Sequence, residues 1–220
     1  MTEQIGAALR LLYPDGRAIT PDSATDDFSL KSLCEDNVYS LTLTPRRAGL
    51  ALAAVEYDIP LPHDLTDVPE ELYIYDDSAY TNDFTSVVPY VGNEARTVYN
   101  LAVFKNLRTR KVFLCGLLTA HRFLAMFNLH DGLVTLRFDL EERELHAGEA
   151  YLLERFMVAE GTDNENVLLE AYGDAVAACN GARPDKPLPV GWCSWSCYYG
   201  NVNEEKIRRA ADGQATYTRA

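Results

Sequence analysis

The feature that most constrains the fold of this chain is a succession of short segments in which apolar and polar side chains alternate. In the clearest of them, residues 134–140, every second side chain is large and apolar, starting with Val134. A period of two is typical of a β-strand with one face against a core. Alternating or β-branched and aromatic runs also occur at residues 28–33, 39–43, 98–104, 112–118 and 123–129. Many short strands between residues 5 and 159 predict a mostly β protein, an antiparallel β-sandwich.

Turn signals separate these segments. Pro14-Asp15-Gly16 and His130-Asp131-Gly132 each end in a glycine, which tolerates the positive φ that tight turns need. The basic residues between 105 and 111 lie between two predicted strands, so we interpret them as a solvated hairpin turn rather than a nucleic-acid patch.

The periodicity changes after residue 163. Between residues 164 and 180 the apolar positions follow helical spacing, at Leu168, Ala171, Tyr172, Ala175, Val176 and Cys179. Asp163 is suited to cap the start of this helix, and Gly181 is suited to the left-handed residue that ends it. The next eight residues, 182–189, contain three prolines and are typical of a linker.

The last residues predict a different kind of structure. Residues 190–195 form an apolar run typical of a strand, and Asn203 is suited to cap a helix whose first turn carries Glu204 and Glu205. A strand followed by a helix is the opening βα unit of an α/β domain. The sequence thus predicts a sandwich over 1–163, a connector helix and linker over 164–189, and one βα unit over 190–220.

Charge and cysteine content narrow the classes of partner. The chain carries 20 basic and 33 acidic residues, a net charge of −13, which disfavours nucleic acid and anionic membranes but not neutral sugars. We see neither a signal peptide nor an apolar run long enough to span a bilayer. Five cysteines without paired spacing favour reduced thiols and a cytoplasmic location.

The segment Pro189-Val190-Gly191-Trp192-Cys193-Ser194-Trp195, followed by Tyr198-Tyr199 and Asn203-Glu204-Glu205, carries the most specific motif. It resembles the first barrel strand of clan D glycosidases, the α-galactosidases and raffinose-synthase-like proteins of glycoside hydrolase family 36. The resemblance implies an amino-terminal sandwich of the supersandwich type, a connector helix and the start of a truncated (β/α)₈ barrel. It also implies a parent enzyme that hydrolyses α-galactosides with retention and needs no cofactor, and it is compatible with a homo-oligomer.

The resemblance implies a set of sugar-binding residues. Trp195, at a strand end, would stack on the apolar face of a pyranose ring, Tyr198 and Tyr199 would form a pocket wall, and Trp192 would pack in the core. A sandwich loop at residues 73–80, with Asp76 and Asp77, would help to shape the pocket entrance. The alternative is that the four aromatic side chains only pack around the βα unit.

We assign no catalytic residue and no metal site. Retaining glycosidases need two carboxylates, and the resemblance implies that both lie on later barrel strands, beyond residue 220. The acidic pairs 26–27, 141–142 and 204–205 are interpreted as solvated. Cys193 and Cys197 lack partner thiols, so we expect buried free thiols rather than zinc ligands.

Two hypotheses of function follow, with a third possibility beside them. The chain is a non-catalytic amino-terminal fragment of an α-galactosidase-like enzyme, or a stand-alone carbohydrate-binding or assembly module without hydrolytic activity. Sugar binding by residues 1–220 that Trp195→Ala abolishes favours the module, and its absence favours the fragment or a purely structural domain. An unrelated sandwich with a coincidental Gly-Trp-x-x-Trp segment is the third.

Overall fold

The structure, a computed structural model, describes residues 9–20, 26–76, 86–90, 95–130, 132–183, 185–187 and 191–217. The chain divides into two compact units, Met1–Ala182 and Arg183–Ala220. The first unit contains every described strand and one long helix, and the second contains helical turns and a longer helix.

The strands of the first unit are short and follow one another closely along the chain. They are β1 (Leu9–Leu12), β2 (Ala18–Ile19), β3 (Phe28–Glu35), β4 (Val38–Pro45), β5 (Leu50–Ala51), β6 (Ala54–Pro60), β7 (Leu72–Asp76), β8 (Ser86–Pro89), β9 (Arg96–Val98), β10 (Leu101–Asn106), β11 (Lys111–Leu117), β12 (Leu124–His130), β13 (Leu133–Asp139), β14 (Glu144–Leu145), β15 (Tyr151–Leu152) and β16 (Phe156–Thr162). A one-turn helix, α1 (His63–Thr66), and a 3₁₀ turn at Pro69–Glu71 precede β7.

These strands form two antiparallel sheets. The first, sheet A, has the order β2-β1-β6-β13-β12-β9. The second, sheet B, has the order β15-β4-β16-β11-β10-β7-β8, with β3 paired along β4. A two-stranded ribbon of β5 and β14 completes the unit. The prediction of a mostly β, antiparallel sandwich is confirmed.

One continuous core lies between the two sheets. Sheet A contributes alternate residues such as Leu11, Phe127 and Phe138, and sheet B contributes residues such as Phe104 and Phe156. Along β13 the burial alternates as the sequence pattern predicts, with Val134, Leu136 and Phe138 buried. The period-two pattern therefore predicts correctly which side chains of this strand face the core.

The predicted turns agree with the structure where it describes them. Gly16 has φ of 85° and donates its N–H to the carbonyl of Tyr13. Gly132 has φ of 74° in the β12–β13 hairpin, while Asp131 lies outside the described residues. The run predicted over 98–104 is two strands, because the chain turns at Tyr99–Asn100 and leaves sheet A for sheet B.

The predicted long helix is α2 (Glu165–Asn180). Gly181 ends it with φ of 59°, as expected. The cap prediction was wrong by one residue: the Asn164 side chain accepts the Asn166 N–H at 3.1 Å. Asp163 instead forms an ion pair with Arg110, so its carboxylate is already occupied at the end of the β10–β11 hairpin.

Helix α2 packs on the outer face of sheet B, away from the main core. A second apolar cluster there joins Val103, Leu114 and Met157 of the sheet to Leu168 and Tyr172 of the helix. The closest approach is at Gly116, where a Cβ atom would lie 2.3 Å from Tyr172 Cε2. The Tyr172 hydroxyl also donates to the Leu117 carbonyl at 2.6 Å. The absence of a side chain at residue 116 is therefore what lets the tyrosine ring pack against the sheet backbone.

The second unit contains α3 (Trp195–Tyr198), a 3₁₀ turn at Tyr199–Asn201 and α4 (Glu204–Tyr217). Asn203 caps α4 as predicted, because its side chain accepts the Lys206 N–H at 3.0 Å. The strand predicted to end at Trp195 was wrong there: residues 191–194 have no strand partner, and Trp195 starts a helical turn. A lone strand leaves its backbone groups unpaired, whereas a helical turn pairs its own.

Within the part of the chain that the structure describes, no helix is both long enough and apolar enough to cross a membrane.

The contact between Gly116 and Tyr172 generates a stability prediction. We expect Gly116→Val to destabilise the protein by roughly 1–3 kcal/mol, because the new side chain would displace the Tyr172 ring and its hydrogen bond. Urea unfolding followed by circular dichroism measures this. The matched control is Gly173→Ala in α2, where a Cβ atom meets nothing within 4 Å. It should leave stability unchanged or raise it by about 0.5–1 kcal/mol, since alanine favours a helix. Equal effects from the two substitutions would contradict the packing described.

Candidate functional site

The second unit brings four aromatic side chains together over eight residues, and we call these the aromatic cluster: Trp192, Trp195, Tyr198 and Tyr199. Trp195 and Tyr199 meet edge to face, with ring centroids 5.5 Å apart. Trp192 and Tyr198 form a second edge-to-face pair at 6.2 Å. The helical turn α3 accounts for the Trp195–Tyr199 pair, because residues three or four positions apart share one side of a helix.

The aromatic cluster is open to solvent. Trp195 is 63 % exposed and Tyr199 is 62 % exposed. Trp192, which we expected in a core, is also exposed at 37 %, because there is no strand to carry it into one. Cys193 and Cys197 were likewise expected to be buried and are exposed. Exposed indole and phenol rings that contact one another form a surface suited to stacking.

Tyr199 has an unusual backbone conformation. It ends α3 with φ of 47° and ψ of −131°, a region that a bulky side chain rarely adopts. Its N–H donates to the Trp195 carbonyl, so the same hydrogen bond closes the turn and brings the two rings together. Strained residues of this kind concentrate at functional sites, which supports a role for this pair.

Helix α4 contacts the aromatic cluster at Tyr198. The ammonium group of Lys206 lies 5.4 Å from the centre of the Tyr198 ring and also donates to the Asn201 carbonyl. Both contacts start from the first turn of α4, which the Asn203 cap fixes. The cluster is therefore tied to the terminal helix by one cation.

The predicted acidic part of the site lies in the first unit. Residues expected in a loop at 73–80 begin as strand β7, with the backbone of Asp76 paired to Ala102 and Ser86. The loop prediction was wrong for residues 73–76, because alternating Leu-Tyr-Ile-Tyr continues the sheet. Asp77 lies outside the described residues.

The described carboxylates whose pKa is clearly displaced offer no general acid. A general acid needs a raised pKa. Wherever the pKa of a carboxylate in this part of the chain is clearly displaced, that pKa is lowered. In four the leading cause is a hydrogen bond from a basic residue, through its side chain or its backbone N–H: Asp15 (Arg17), Asp27 (Arg47), Glu149 (Arg122) and Glu165 (Lys105).

Two acidic side chains on sheet A are paired with basic and hydroxyl groups. Glu56 and Asp58 follow one face of β6, and the Arg10 guanidinium donates to both, at 3.1 and 2.9 Å. Arg137 adds a bond to Glu56 at 2.9 Å, and the Thr135 hydroxyl donates to Asp58 at 2.7 Å. These bonds link three strands across the surface of sheet A.

Glu154 is a buried carboxylate that sequence reasoning missed. It is 3 % exposed and accepts three consecutive backbone N–H groups, of residues 121–123, at 2.7–3.0 Å. Burial raises the pKa of Glu154, but the Thr119 hydroxyl and these N–H groups outweigh it, so the pKa lies below its ordinary value. The residue occupies the break between β15 and β16 and fixes the β11–β12 connection, which is a structural role.

In the ranges that the structure describes, no group of three or more histidine, cysteine or acidic side chains is placed to hold a metal ion. The four histidines and the cysteines therefore add no candidate centre in those ranges.

The described residues define a class of protein: an antiparallel β-sandwich with a helix on one outer face, followed by a separate unit that presents exposed aromatic rings. No protein-family model matches the chain, and no curated protein matches it. Among solved structures it is similar to the α-galactosidase from Lactobacillus brevis, at 11 % identity and a TM-score of 0.47. That match covers 93 % of this chain and 36 % of the enzyme, so the chain spans about a third of the enzyme's length.

Glu154 generates a pH-dependent prediction. Because its folded-state pKa is lowered, its contribution is present above the unfolded-state pKa and is lost as pH falls through the folded-state pKa. We expect Glu154→Gln to lower the free energy of unfolding by about 1–3 kcal/mol at neutral pH, since an amide leaves a buried N–H unpaired. The difference from wild type should shrink in acid. Urea unfolding at neutral and acidic pH measures it, with Glu35→Gln on exposed β3 as the control. A difference independent of pH would contradict the assignment.

Proposed function

We propose that this chain is a non-catalytic domain of an α-galactosidase-like glycoside hydrolase, in which the aromatic cluster contributes a wall of the sugar site. The observation that carries the proposal is the exposed Trp195–Tyr199 pair, 5.5 Å apart. Trp195 is the last residue of the Gly-Trp-x-x-Trp segment that resembles the first barrel strand of those enzymes, and Tyr199 follows four residues later.

The chemistry of a galactoside suits this surface. A pyranose ring has a C–H face that stacks on an aromatic ring and hydroxyl groups around its edge. Trp195 offers an indole face, and its N–H and the Tyr199 hydroxyl offer hydrogen bonds at the margin. A neutral sugar is also unaffected by the net charge of −13, which repels anionic ligands.

The absence of a suitable acid in the described residues supports a non-catalytic role. Retaining glycosidases place two carboxylates about 5–5.5 Å apart, one of them with a raised pKa. In this chain the described carboxylates with a displaced pKa all have it lowered. They are bonded to arginine, lysine or backbone N–H groups. The hydrolytic step is therefore proposed to belong to other segments of a parent enzyme.

A stand-alone carbohydrate-binding module is the second candidate. It is favoured by the exposure of Trp195 within the chain itself, since a module needs its aromatic side chains accessible without further domains. Because Trp195 is exposed, binding by itself no longer separates the two candidates as the sequence alone suggested, and affinity does: a single wall gives weak binding, and a complete module site gives tighter binding.

The proposed location is the cytoplasm. All five cysteines are free thiols, and Cys34, Cys193 and Cys197 are exposed. Exposed thiols persist in a reducing compartment.

The sugar-stacking proposal is tested with the two tryptophans, since both lie in the aromatic cluster. We expect melibiose and raffinose to change the tryptophan emission of the intact chain at millimolar concentrations, as one stacking wall gives weak affinity. In calorimetry, Trp195→Ala should weaken binding about tenfold, because it removes a stacking contact worth roughly 1–1.5 kcal/mol.

Val202→Ala is the matched control, since Val202 is exposed in the same unit but is not aromatic. It should leave affinity unchanged. Dissociation constants far below millimolar would favour the stand-alone module. No change in emission with either sugar, or equal binding by Trp195→Ala, would show that the aromatic cluster is not a sugar surface.

A further inference from the structure

A concave surface lies in the first unit, on the part of sheet B that α2 leaves uncovered. Strands β7, β8 and β10 form its floor and the first turns of α2 form one side, enclosing a cleft of about 660 Å³. We call this the sheet cleft. Its volume is within the range of small-molecule sites.

Two tyrosines from one strand dominate the floor. Along β7, Leu72 and Ile74 point into the main core, so Tyr73 and Tyr75 point outward into the sheet cleft. Residues two apart on a strand are about 7 Å apart along it, so the two rings form an extended aromatic strip. Strand pairing sets Val103 beside Tyr75 and Lys105 beside Tyr73, which completes an apolar floor with one charged margin.

The two charges at this margin cancel each other. The Lys105 ammonium forms an ion pair with Glu165 at the start of α2 and donates to the Asp163 carbonyl at 3.2 Å. Among the described residues that line the sheet cleft, these two are the charged ones. With its cation already paired in a chain of net charge −13, the surface is unsuited to an anion.

Polar groups nevertheless surround the aromatic strip. The Asn166 amide lies in the lining beside Glu165, and the two tyrosine hydroxyl groups add donors and acceptors. Val87 lies at the opposite rim and is 68 % exposed. Exposure of an apolar side chain to water is unfavourable in free energy. The arrangement thus combines aromatic faces, a margin of donors and acceptors with no net charge, and an accessible rim.

We propose that the sheet cleft is a second binding site, on the sandwich, for a neutral oligosaccharide that stacks along Tyr73 and Tyr75. Sugar rings present C–H faces to the aromatic strip and hydroxyl groups to Asn166 and to the Lys105–Glu165 pair. A purely apolar ligand would form no hydrogen bonds with Asn166 or with the two tyrosine hydroxyl groups. This site is distinct from the aromatic cluster and does not depend on it.

The test is a titration of the intact, isotope-labelled chain with raffinose and separately with maltotriose, followed by amide NMR shifts. We expect at least one sugar to shift the amides of Tyr73, Tyr75 and Asn166. Tyr75→Ala should weaken this binding roughly three- to tenfold by loss of stacking. Asn166→Ala, at an exposed helix position that accepts alanine, should weaken it by a similar factor.

Leu33→Ala is the matched control, because Leu33 is 56 % exposed on β3 of the same sheet, outside the sheet cleft. It should bind as wild type does. Repeating the titration in Trp195→Ala separates the two sites, since the shifts in β7 and α2 should persist there. Absence of these shifts with both sugars would overturn the proposal, whatever the tryptophan emission shows. Shifts produced by an apolar dye but by neither sugar would also overturn it.

Discussion

The outer face of sheet B determines how the first unit is built. Its central strands are apolar on both sides, so the face opposite the main core also needs cover. Helix α2 supplies that cover over β11 and β16, where Gly116 lets Tyr172 approach the backbone, and over Val103 of β10. Tyr75 of β7 is only partly buried by this cluster, and the sheet cleft lies along that less covered part. One packing contact therefore fixes both the position of the helix and the position of the cleft.

The parts that could be predicted from sequence are those governed by local periodicity. Alternation along β13 and the helical stripe of α2 each identify an element and its buried face, and Gly181 marks a helix end through its positive φ. The strand before Trp195 could not be judged this way. An apolar run becomes a strand only if partner strands accept its hydrogen bonds, and those partners are a tertiary property.

The candidate sites were predicted unevenly for the same reason. The sequence pointed to Trp195, Tyr198 and Tyr199, and the structure brings Trp195 and Tyr199 together through a helical turn rather than a strand end. The role of Glu154 is not readable from its neighbours, because its three donors come from residues more than thirty positions earlier. For Tyr73 and Tyr75 a signal exists: the alternation Leu-Tyr-Ile-Tyr puts both rings on one face of a strand.

Both proposed sites use the same physical principle, the stacking of a neutral sugar on aromatic rings in a chain too acidic to favour anions. The most direct measurement is a crystal structure of the intact chain grown with melibiose. The account predicts a pyranose ring stacked on the indole of Trp195 with a hydroxyl group bonded near Tyr199. Melibiose bound elsewhere with the Trp195 ring left bare, or a Trp195 ring buried by apolar side chains of its own unit, would contradict it.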